Sequence, residues 1–598
     1  MRKRKLLSVI LALSLCLTLL PGMAAAEETG TATEVTSSEE LTDTLAGSAE
    51  TVRLGANITI TTDDSLTVSR TVTLDLNGCV LEKSGSGSVI KVESGGKLTL
   101  TDSNTGKQTH YFTKDSNGLW ILTDTETENF VTGGVITGGK GFLEGMNACG
   151  GGVYVNKNGT FTMNGGNIAG CTAAPVEGRA YGGGVFVAEE GTFTMNGGSI
   201  TGCTAVGNTL SFGGGIHNEG TTKLSGGAEI RDCHAKAGTG SHAYGGGVSD
   251  ANGVFKICDN VKITGCTAVG KESSTIKSDA MNIGYRGVIS GGTFDGSVEN
   301  KGTISGGTFN GKVTNSRTIT EGTFNGAVTN EGSITGGTFN GGVTNGENGT
   351  ISGATVVAKV STDTEFLEAL AKPYVTTIKL MGDEIRVNKA EDVKELTIDR
   401  AITLVNGSRA PNLYLWLPLT IAEGGALTLE GIVYLYPCDS VVVNGGVTVG
   451  AGCGVSFDGG SPSLVINEDG TVTTVKTTDA EKARSGQLSL GKNATLTVKG
   501  KLDNQGRLSI SNMANLKMAA DIGGELTLDS MTIDEDYTLD MKGDLLTICG
   551  SLNFTKGANL TVRNAIKVDA SGVWISGGSY YCPVTAGGNE GGITGGSF

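Results

Sequence analysis

The amino-acid sequence predicts an all-β protein, a parallel β-solenoid built as two tandem domains. Two internal repeats carry this prediction. In residues 150–268 a longer unit recurs, and its equivalent positions Val153, Val185, Ile216 and Val248 are 32, 31 and 32 residues apart. In residues 288–357 the unit is 15 residues long. Fixed periods of this kind are typical of stacked supersecondary units, none of which can bury its apolar face alone.

The type of unit follows from the pattern inside each repeat. Phe161 and Met163 alternate with Thr160, Thr162 and Asn164, which is the period of a strand. Glycine pairs and triplets interrupt each run where the chain must bend. Three short strands per repeat therefore form one coil, and each strand pairs with its equivalents about 4.8 Å above and below. We expect the variable segments 172–181, 204–212 and 234–244 to be loops on one edge.

The longer repeat resembles the right-handed parallel β-helix group. It is similar to the GG[ALVI][IY] and FxxN repeats of chlamydial polymorphic outer-membrane proteins: Gly151-Gly152-Val153-Tyr154 fits the first signature, and Phe161 with Asn164 fits the second. The later copies depart from the second signature, because no asparagine follows Thr222 or Phe255 at the required distance. The resemblance implies a right-handed, pectin-lyase-like coil and surface adhesion, and it implies no reaction.

The N-terminal segment and the charge indicate a secreted protein, and the resemblance implies that it is of bacterial type. Residues 1–26 have a basic start, an apolar run and an A-x-A site, as in a signal peptide. Removing its four basic residues lowers the formal net charge from −16 to −20, and such a surface repels nucleic acid. The chain holds 97 Gly and 8 Pro among 598 residues, and 38% of it is hydrophobic, which suits a long narrow core. We expect no transmembrane segment in the mature chain.

The order of segments indicates two domains, 27–358 and 359–598, each opened by a short capping helix. Thr36 and Glu39 form a capping box before a helix that ends at Leu45, and Thr362 and Glu365 form another. The strand-like runs that follow also echo each other, one beginning at Arg70 and the other at Arg400. Units that resemble the 15-residue repeat recur near the end, and the chain stops inside one, so we expect the second domain to be incomplete at its C-terminus.

Two sets of residues are predicted to form ladders along the solenoid. One cysteine occupies the same position in each longer repeat, so these cysteines should stack in a column. They could be buried thiols, disulfide staples or a metal site. In the 15-residue repeat an asparagine recurs at one position, where its amide would bond up and down the stack at turns. Either one or two of these repeats could form a coil. The ladder residues are Cys171, Cys203, Cys233, Cys266, Asn300, Asn315, Asn330 and Asn345.

An outward-facing row is the candidate ligand-binding surface. Because Val153 and Val155 face inward, Tyr154 should face out, with Phe186 and His217 above it in the next coils. Such a row could stack on extended glycans, or a loop could cover it. A hairpin over residues 111–122 is also predicted to project from the coils. Its Tyr111, Phe112 and Trp120 could stack on a sugar or pack against the solenoid wall.

No catalytic residue, cofactor or metal site is predicted. Many right-handed β-helices cleave pectin or related polysaccharides, at sites that need clustered carboxylates. The acidic residues here are scattered, and we interpret His234 and His242 as solvated loop residues rather than as ligands. The predicted function is that of a secreted or cell-surface, adhesin-like stalk that binds polysaccharide, mucin or a cell-surface glycoprotein. A β-helix polysaccharide lyase or glycoside hydrolase is the alternative. Clustered Asp and Glu residues on one outer face would favour the enzyme. An outer face that carries only Thr, Asn and Gly would favour the stalk.

Overall fold

A computed structural model describes residues 32–510 except 107, 239–240, 252, 271–277, 390–392, 458–461, 476–484, 491–494 and 499–500, and beyond residue 510 the backbone of the strands up to Gly592–Ile593. The predicted signal peptide, 1–26, lies outside the described residues. The chain divides into two compact units, one of Met1–Ser249 with Val269–Ser273 and one of Asp250–Ala268 with Ser274–Phe598. In the described part of the chain, no helix is long and apolar enough to cross a membrane.

The first unit is a stack of coils whose strands pair in parallel with their equivalents, so the predicted β-solenoid is confirmed. Alternate side chains of each strand point inward: in Thr160–Met163, Phe161 and Met163 are fully buried and the threonines between them are not. The strands of each coil fall into three columns. The first column contains Thr33–Val35, Thr51–Leu54, Thr71–Asp75, Lys97–Thr101, Thr160–Met163, Thr192–Met195 and Thr221–Leu224. The second contains Ile58–Ile60, Val80–Lys83, Val135–Thr137, Asn167–Ala169, Ser199–Thr201 and Glu229–Arg231, and the third contains Leu66–Val68, Ile90–Val92, Val153–Val155, Val185–Val187 and Ile216–Asn218, with Val248–Asp250 at the unit boundary.

The segments expected to be loops contain further strands, and that expectation is wrong. Each makes two short strands, which pair in parallel from coil to coil and form two additional sheets. These strands form because the first residues of consecutive segments lie above one another, and so do the last residues. Their backbone N–H and C=O groups can therefore pair although the segments differ in length. One sheet includes Thr172–Ala173, Thr204–Gly207 and His234–Ala237. The other contains Ala180–Tyr181, Leu210–Phe212 and His242–Tyr244, and it continues with Asn147–Cys149, to which Phe142–Glu144 pairs antiparallel.

The predicted hairpin is present and packs on the coils. Strands Thr109–Lys114 and Trp120–Thr123 are antiparallel, and Asn129–Thr132 adds a third strand. Phe112 is fully buried and Trp120 is 3% exposed. A Cβ on Gly202 would overlap the Trp120 ring, so the coil must have glycine there. The wall-packing alternative is therefore correct for these two aromatic residues.

A helix covers the first coils of the first unit. This helix, α1 (Ser38–Ala46), buries Leu41 and Leu45 and contacts the strands Thr33–Val35 and Leu66–Val68. Its N-cap is Ser37, one residue after the predicted Thr36, because the Ser37 hydroxyl accepts the Glu40 N–H. Arg70 closes the other end by donating to the carbonyl oxygens of Thr44 and Leu45 at 2.8 and 2.9 Å.

The second unit begins with longer-repeat strands and continues with the 15-residue repeat. Val298, Val313, Val328 and Val343 pair directly with one another, which settles that one repeat makes one coil. Its strands are Val254–Ile257, Lys262–Thr264, Thr267–Val269 (whose last residue belongs to the first unit), Met281–Ile283, Val288–Ile289, Thr293–Phe294, Val298–Asn300, Thr303–Phe309, Val313–Asn315, Thr318–Phe324, Val328–Asn330, Ser333–Ile334, Thr338–Phe339, Val343–Asn345, Thr350–Ile351 and Thr355–Val360.

Thr355–Val360 joins this repeat to the coils that follow. Its first two residues pair with Thr338–Phe339 and its last four with Thr377–Leu380. A second helix, α2 (Asp363–Ala371), comes next, with the predicted capping box of Thr362 and Glu365. The domain boundary predicted near Lys359 lies inside this strand, and it stays a prediction.

The remaining coils have three parallel sides. Arg400 repeats the role of Arg70, since it donates to the carbonyl oxygens of Leu370 and Lys372 at the end of α2, both at 2.8 Å. The first side contains Thr377–Leu380, Ala401–Asn406, Ala426–Glu430, Gly446–Val449, Thr471–Thr474 and Lys501–Asn504. The second contains Glu384–Val387, Asn412–Leu415, Tyr434–Pro437, Gly454–Phe457, Gln487–Leu490, Arg507–Ile510, Glu525–Leu528, Leu545–Ile548, Ile566–Val568 and Val584–Ala586. The third contains Leu396–Ile398, Leu419–Ile421, Ser440–Val443, Ser463–Ile466, Thr495–Val498, Asn515–Ile522, Met531–Ile533, Leu552–Phe554, Trp574–Ile575 and Gly592–Ile593. Thr538–Met541 pairs with the second half of Asn515–Ile522, and Asn559–Val562 and Ser579–Tyr580 follow it in that order.

Candidate binding surface

The row predicted from the longer repeat forms in the expected register. Tyr154 pairs with Phe186, and Phe186 pairs with His217, on three adjacent strands of the first unit. The ring centroids of Tyr154 and Phe186 are 5.2 Å apart, and those of Phe186 and His217 are 5.8 Å apart. The valines on either side of Tyr154 point into the coil, as the alternation predicts.

The expected exposure of this row is wrong. Tyr154 and Phe186 are each 3% exposed and His217 is 1% exposed. The additional sheet that replaces the expected loops covers them: Phe142 lies 5.0 Å from Tyr154 between ring centroids, and Tyr181 lies 4.9 Å from His217. The row is thus the core between two β-layers. In this structure it is not open to a ligand.

A second row, on the covering sheet, is partly exposed. It consists of Tyr181, Phe212 and Tyr244, and we call it the outer aromatic row. Successive ring centroids are 5.3 Å apart, with planes 7° and 10° from parallel. Each ring covers much of its neighbour, so the row directs ring edges and two tyrosine hydroxyls outward. This row was not predicted from the sequence, although an aromatic residue stands directly before each of the three glycine triplets that begin at 182, 213 and 245.

The glycine triplets hold the two rows at their places. The first glycine of each triplet has a positive φ, 63° at Gly213, for example. A Cβ there would overlap the carbonyl oxygen of Ile216, three residues on. Only glycine takes this conformation without strain. The tight turn places Phe212 on the outer sheet and His217 on the inner one, with 5.5 Å between their ring centroids.

Polar and apolar groups border the outer aromatic row. The guanidinium of Arg179 donates to the Tyr181 hydroxyl at 3.4 Å, and this bond raises the arginine pKa. His242, on a strand of the same sheet, has its ring 6.2 Å from Tyr244. Leu143, on another strand of the covering sheet, is 56% exposed. The covering sheet therefore carries hydrogen-bonding groups beside the row and an exposed apolar side chain.

The cysteine ladder is confirmed in the first unit as a column of buried thiols. Thr172 pairs with Thr204, and Thr204 with His234, which places the preceding residues Cys171, Cys203 and Cys233 in one column. All three are fully buried, and their sulfurs lie 3.3–3.7 Å from backbone carbonyl oxygens. Cys266, in the second unit, is also buried. Burial raises the pKa of the Cys171 thiol, so it stays protonated.

The asparagine ladder is confirmed as well. Asn300 donates to the Oδ1 atom of Asn315, Asn315 to that of Asn330, and Asn330 to that of Asn345, each at 2.7 Å. The first three are fully buried at the ends of their strands. A parallel stack of Phe294, Phe309, Phe324 and Phe339, with centroids 4.5–4.8 Å apart, fills the same coils.

An open groove of about 760 Å³ runs along the outside of these coils. Threonine and glycine columns make most of its lining, and Asp259 and Glu321 are its two carboxylates. In the described residues, no group of three or more His, Cys, Asp or Glu is placed to hold a metal ion. The groove is lined by Asp259, Asn260, Lys262, Gly292, Thr293, Gly307, Thr308, Glu321, Gly322, Thr323 and Thr338.

Comparison with known proteins adds no family to this description. No protein-family model matches the chain, and no curated protein is significantly similar to it.

Proposed function

We propose that the protein is a secreted or cell-surface β-solenoid of the adhesin-like kind, which binds polysaccharide, mucin or glycoprotein glycans without catalysing a reaction. The observation that carries the proposal is the outer aromatic row. Three aromatic side chains at one position of consecutive coils stay partly exposed at a spacing of 5.3 Å. A regular array of this kind suits a ligand that is itself extended and periodic.

The chemistry of the row fits a glycan. Sugars present both C–H groups and hydroxyls, and tyrosine offers an apolar ring with a hydroxyl that can donate or accept. Arg179 beside Tyr181 and His242 beside Tyr244 add hydrogen-bonding groups at both ends of the row. The negative mature chain disfavours nucleic acid and anionic lipid as ligands.

A polysaccharide lyase or glycoside hydrolase is the competing function. Such enzymes use paired carboxylates, or carboxylates with calcium, at the scissile bond. The groove of the second unit offers Asp259 and Glu321 among threonines and glycines. This Thr and Gly lining favours the binding proposal over the enzyme.

Binding to a glycan array and to immobilised mucin tests the proposal. We expect the chain of residues 27–598 to bind, and the double variant Tyr181→Ala, Tyr244→Ala to bind about 5- to 100-fold more weakly, from 0.5–1.5 kcal/mol for each aromatic contact. Tyr285→Ala is the matched control, because Tyr285 is an exposed tyrosine of the other unit. All variants must also unfold at the same temperature, so that weaker binding cannot be due to a loss of folding. Full binding by the double variant would refute the role of the outer aromatic row.

A further inference from the structure

A second group of aromatic residues lies on an outer sheet face of the second unit. Arg386, Tyr414 and Tyr436 pair across three adjacent strands, and Tyr434 pairs with Asn412 on the same face. Trp416 follows Tyr414 by two residues, so it also points outward. Two neighbouring coils therefore present four aromatic residues, which we call the aromatic platform: Tyr414, Trp416, Tyr434 and Tyr436.

The platform has two rings that other rings leave open. Tyr414 and Tyr436 stack on each other, with centroids 4.7 Å apart and planes 15° from parallel. Trp416 is 47% exposed. Tyr434 is half-buried between Asn412 and Gly454 on the neighbouring strands, and a Cβ on Gly454 would lie 3.0 Å from its Cδ1 atom, so a glycine rather than a side chain lies beside this ring. Trp416 and Tyr434 thus flank the stacked pair.

The charged groups around the platform are paired with one another. The Arg386 guanidinium bonds to the Glu384 carboxylate and lies 5.4 Å from the centre of the Tyr414 ring. Lys389 pairs with Asp439 at 3.0 Å. Because each positive charge has its own carboxylate, these pairs give the border no excess charge to attract an ionic ligand. The groups of the platform that are left to contact a ligand are its amphipathic aromatic rings.

We propose that the aromatic platform binds a segment of an uncharged polysaccharide, which lies along the strands with sugar rings stacked on Trp416 and Tyr434. Strand geometry, with about 3.3 Å per residue and about 4.8 Å between strands, puts the Cα atoms of these two residues roughly 14 Å apart. An oligosaccharide must be long enough to span that distance before it gains the second contact. This inference rests on the proposed glycan-binding function and adds a second, independent surface with a defined ligand class.

Affinity gels of uncharged polysaccharides, namely cellulose derivatives, xylan, mannan and mixed-linkage glucan, test the inference with the chain of residues 27–598. We expect retardation by at least one of them, and about 5- to 100-fold weaker binding for Trp416→Ala, Tyr434→Ala. Tyr434→Phe keeps the ring face and should keep most of the binding. Tyr181→Ala, Tyr244→Ala leaves the platform intact and should bind these gels as the unchanged chain does. Soluble oligosaccharides should bind more tightly with length until they span both rings.

Four outcomes would overturn the inference. If the platform variant binds the gels like the unchanged chain, the site lies elsewhere and the glycan-binding function stands. If the chain binds mucin but none of the uncharged polysaccharides, the ligand class is wrong while that function again stands. If sedimentation shows that Trp416→Ala, Tyr434→Ala turns a dimer into a monomer, the platform binds a second copy of the chain. Failure to bind any glycan would refute both proposals together.

Discussion

Asn315 offers the sharpest test of the ladder that holds the 15-residue coils together. Its amide is fully buried, donates to Asn330 at 2.7 Å and accepts from Asn300 at 2.7 Å. Asn315→Ala removes both bonds. It also leaves the Nδ2 group of Asn300 and the Oδ1 atom of Asn330 with their weaker partners, the Thr318 carbonyl at 3.2 Å and the Gly332 N–H at 3.3 Å.

The magnitude follows from these contacts. Each lost bond contributes about 0.5–1.5 kcal/mol, and a buried polar group without its full partner costs about 1–3 kcal/mol. Two lost bonds contribute about 1–3 kcal/mol together, and the two partners, which each keep one longer bond, add about 1 kcal/mol, so we expect a total loss of about 2–4 kcal/mol. This free energy corresponds to about 30- to 1000-fold faster opening of the strand Val313–Asn315.

Hydrogen exchange measured by mass spectrometry is the right assay, since a long solenoid can open locally rather than in one transition. The matched control is Asn325→Ala, which lies in an exposed ladder of the same coils and bonds Asn310 and Asn340 at 2.8 and 2.9 Å. Water can replace these bonds, so the control should change stability by no more than about 0.5 kcal/mol. Equal exchange in the two variants would show that the buried ladder is not a stabilising element.

Three further predictions concern the turns, caps and thiols. Gly213→Ala should lower the free energy of unfolding by more than about 1 kcal/mol and reduce the thermal midpoint, because φ is 63° there; Gly106→Ala, where a Cβ meets nothing within 4 Å, is the neutral control. Thr362→Ala should cost about 0.5–2 kcal/mol through loss of the cap of α2, and unchanged exchange in α2 would contradict this. Cys171, Cys203 and Cys233 should resist alkylation in the native protein even at pH 9, because all three side chains are fully buried and the reagent cannot reach their sulfurs, and they should react fully in denaturant; a disulfide found by mass spectrometry would refute their assignment as thiols.

Periodicity made the coils predictable. Val153, Val185 and Ile216 pair as the repeat length requires, and Asn300, Asn315 and Asn330 bond as a ladder, because a parallel solenoid places equivalent residues above one another. A capping box in the sequence also located α2 correctly. The same reasoning placed the cap of α1 one residue early, since Thr36 and Ser37 both suit an N-cap and only backbone geometry selects Ser37.

The candidate binding surface was much less predictable. Alternation shows that Tyr154 leaves the coil interior, but it cannot show whether another layer covers that side chain. The covering strands are short, such as Ala180–Tyr181, and the segments that contain them vary in length, so no strand period is visible. The outer aromatic row did leave a signal, the aromatic residue before each glycine triplet, and so did the alternation of Tyr434 and Tyr436 in the second unit.

The central proposal is that this solenoid binds glycans and does not cleave them, and one reaction tests it directly. The chain of residues 27–598 is incubated with mucin, pectin, xylan and uncharged polysaccharides, with and without calcium, while bound protein and released reducing or unsaturated ends are measured together. We predict saturable binding that weakens in Tyr181→Ala, Tyr244→Ala or in Trp416→Ala, Tyr434→Ala, with no ends released. Release of ends that a single Asp or Glu substitution abolishes would contradict the proposal and make the protein an enzyme.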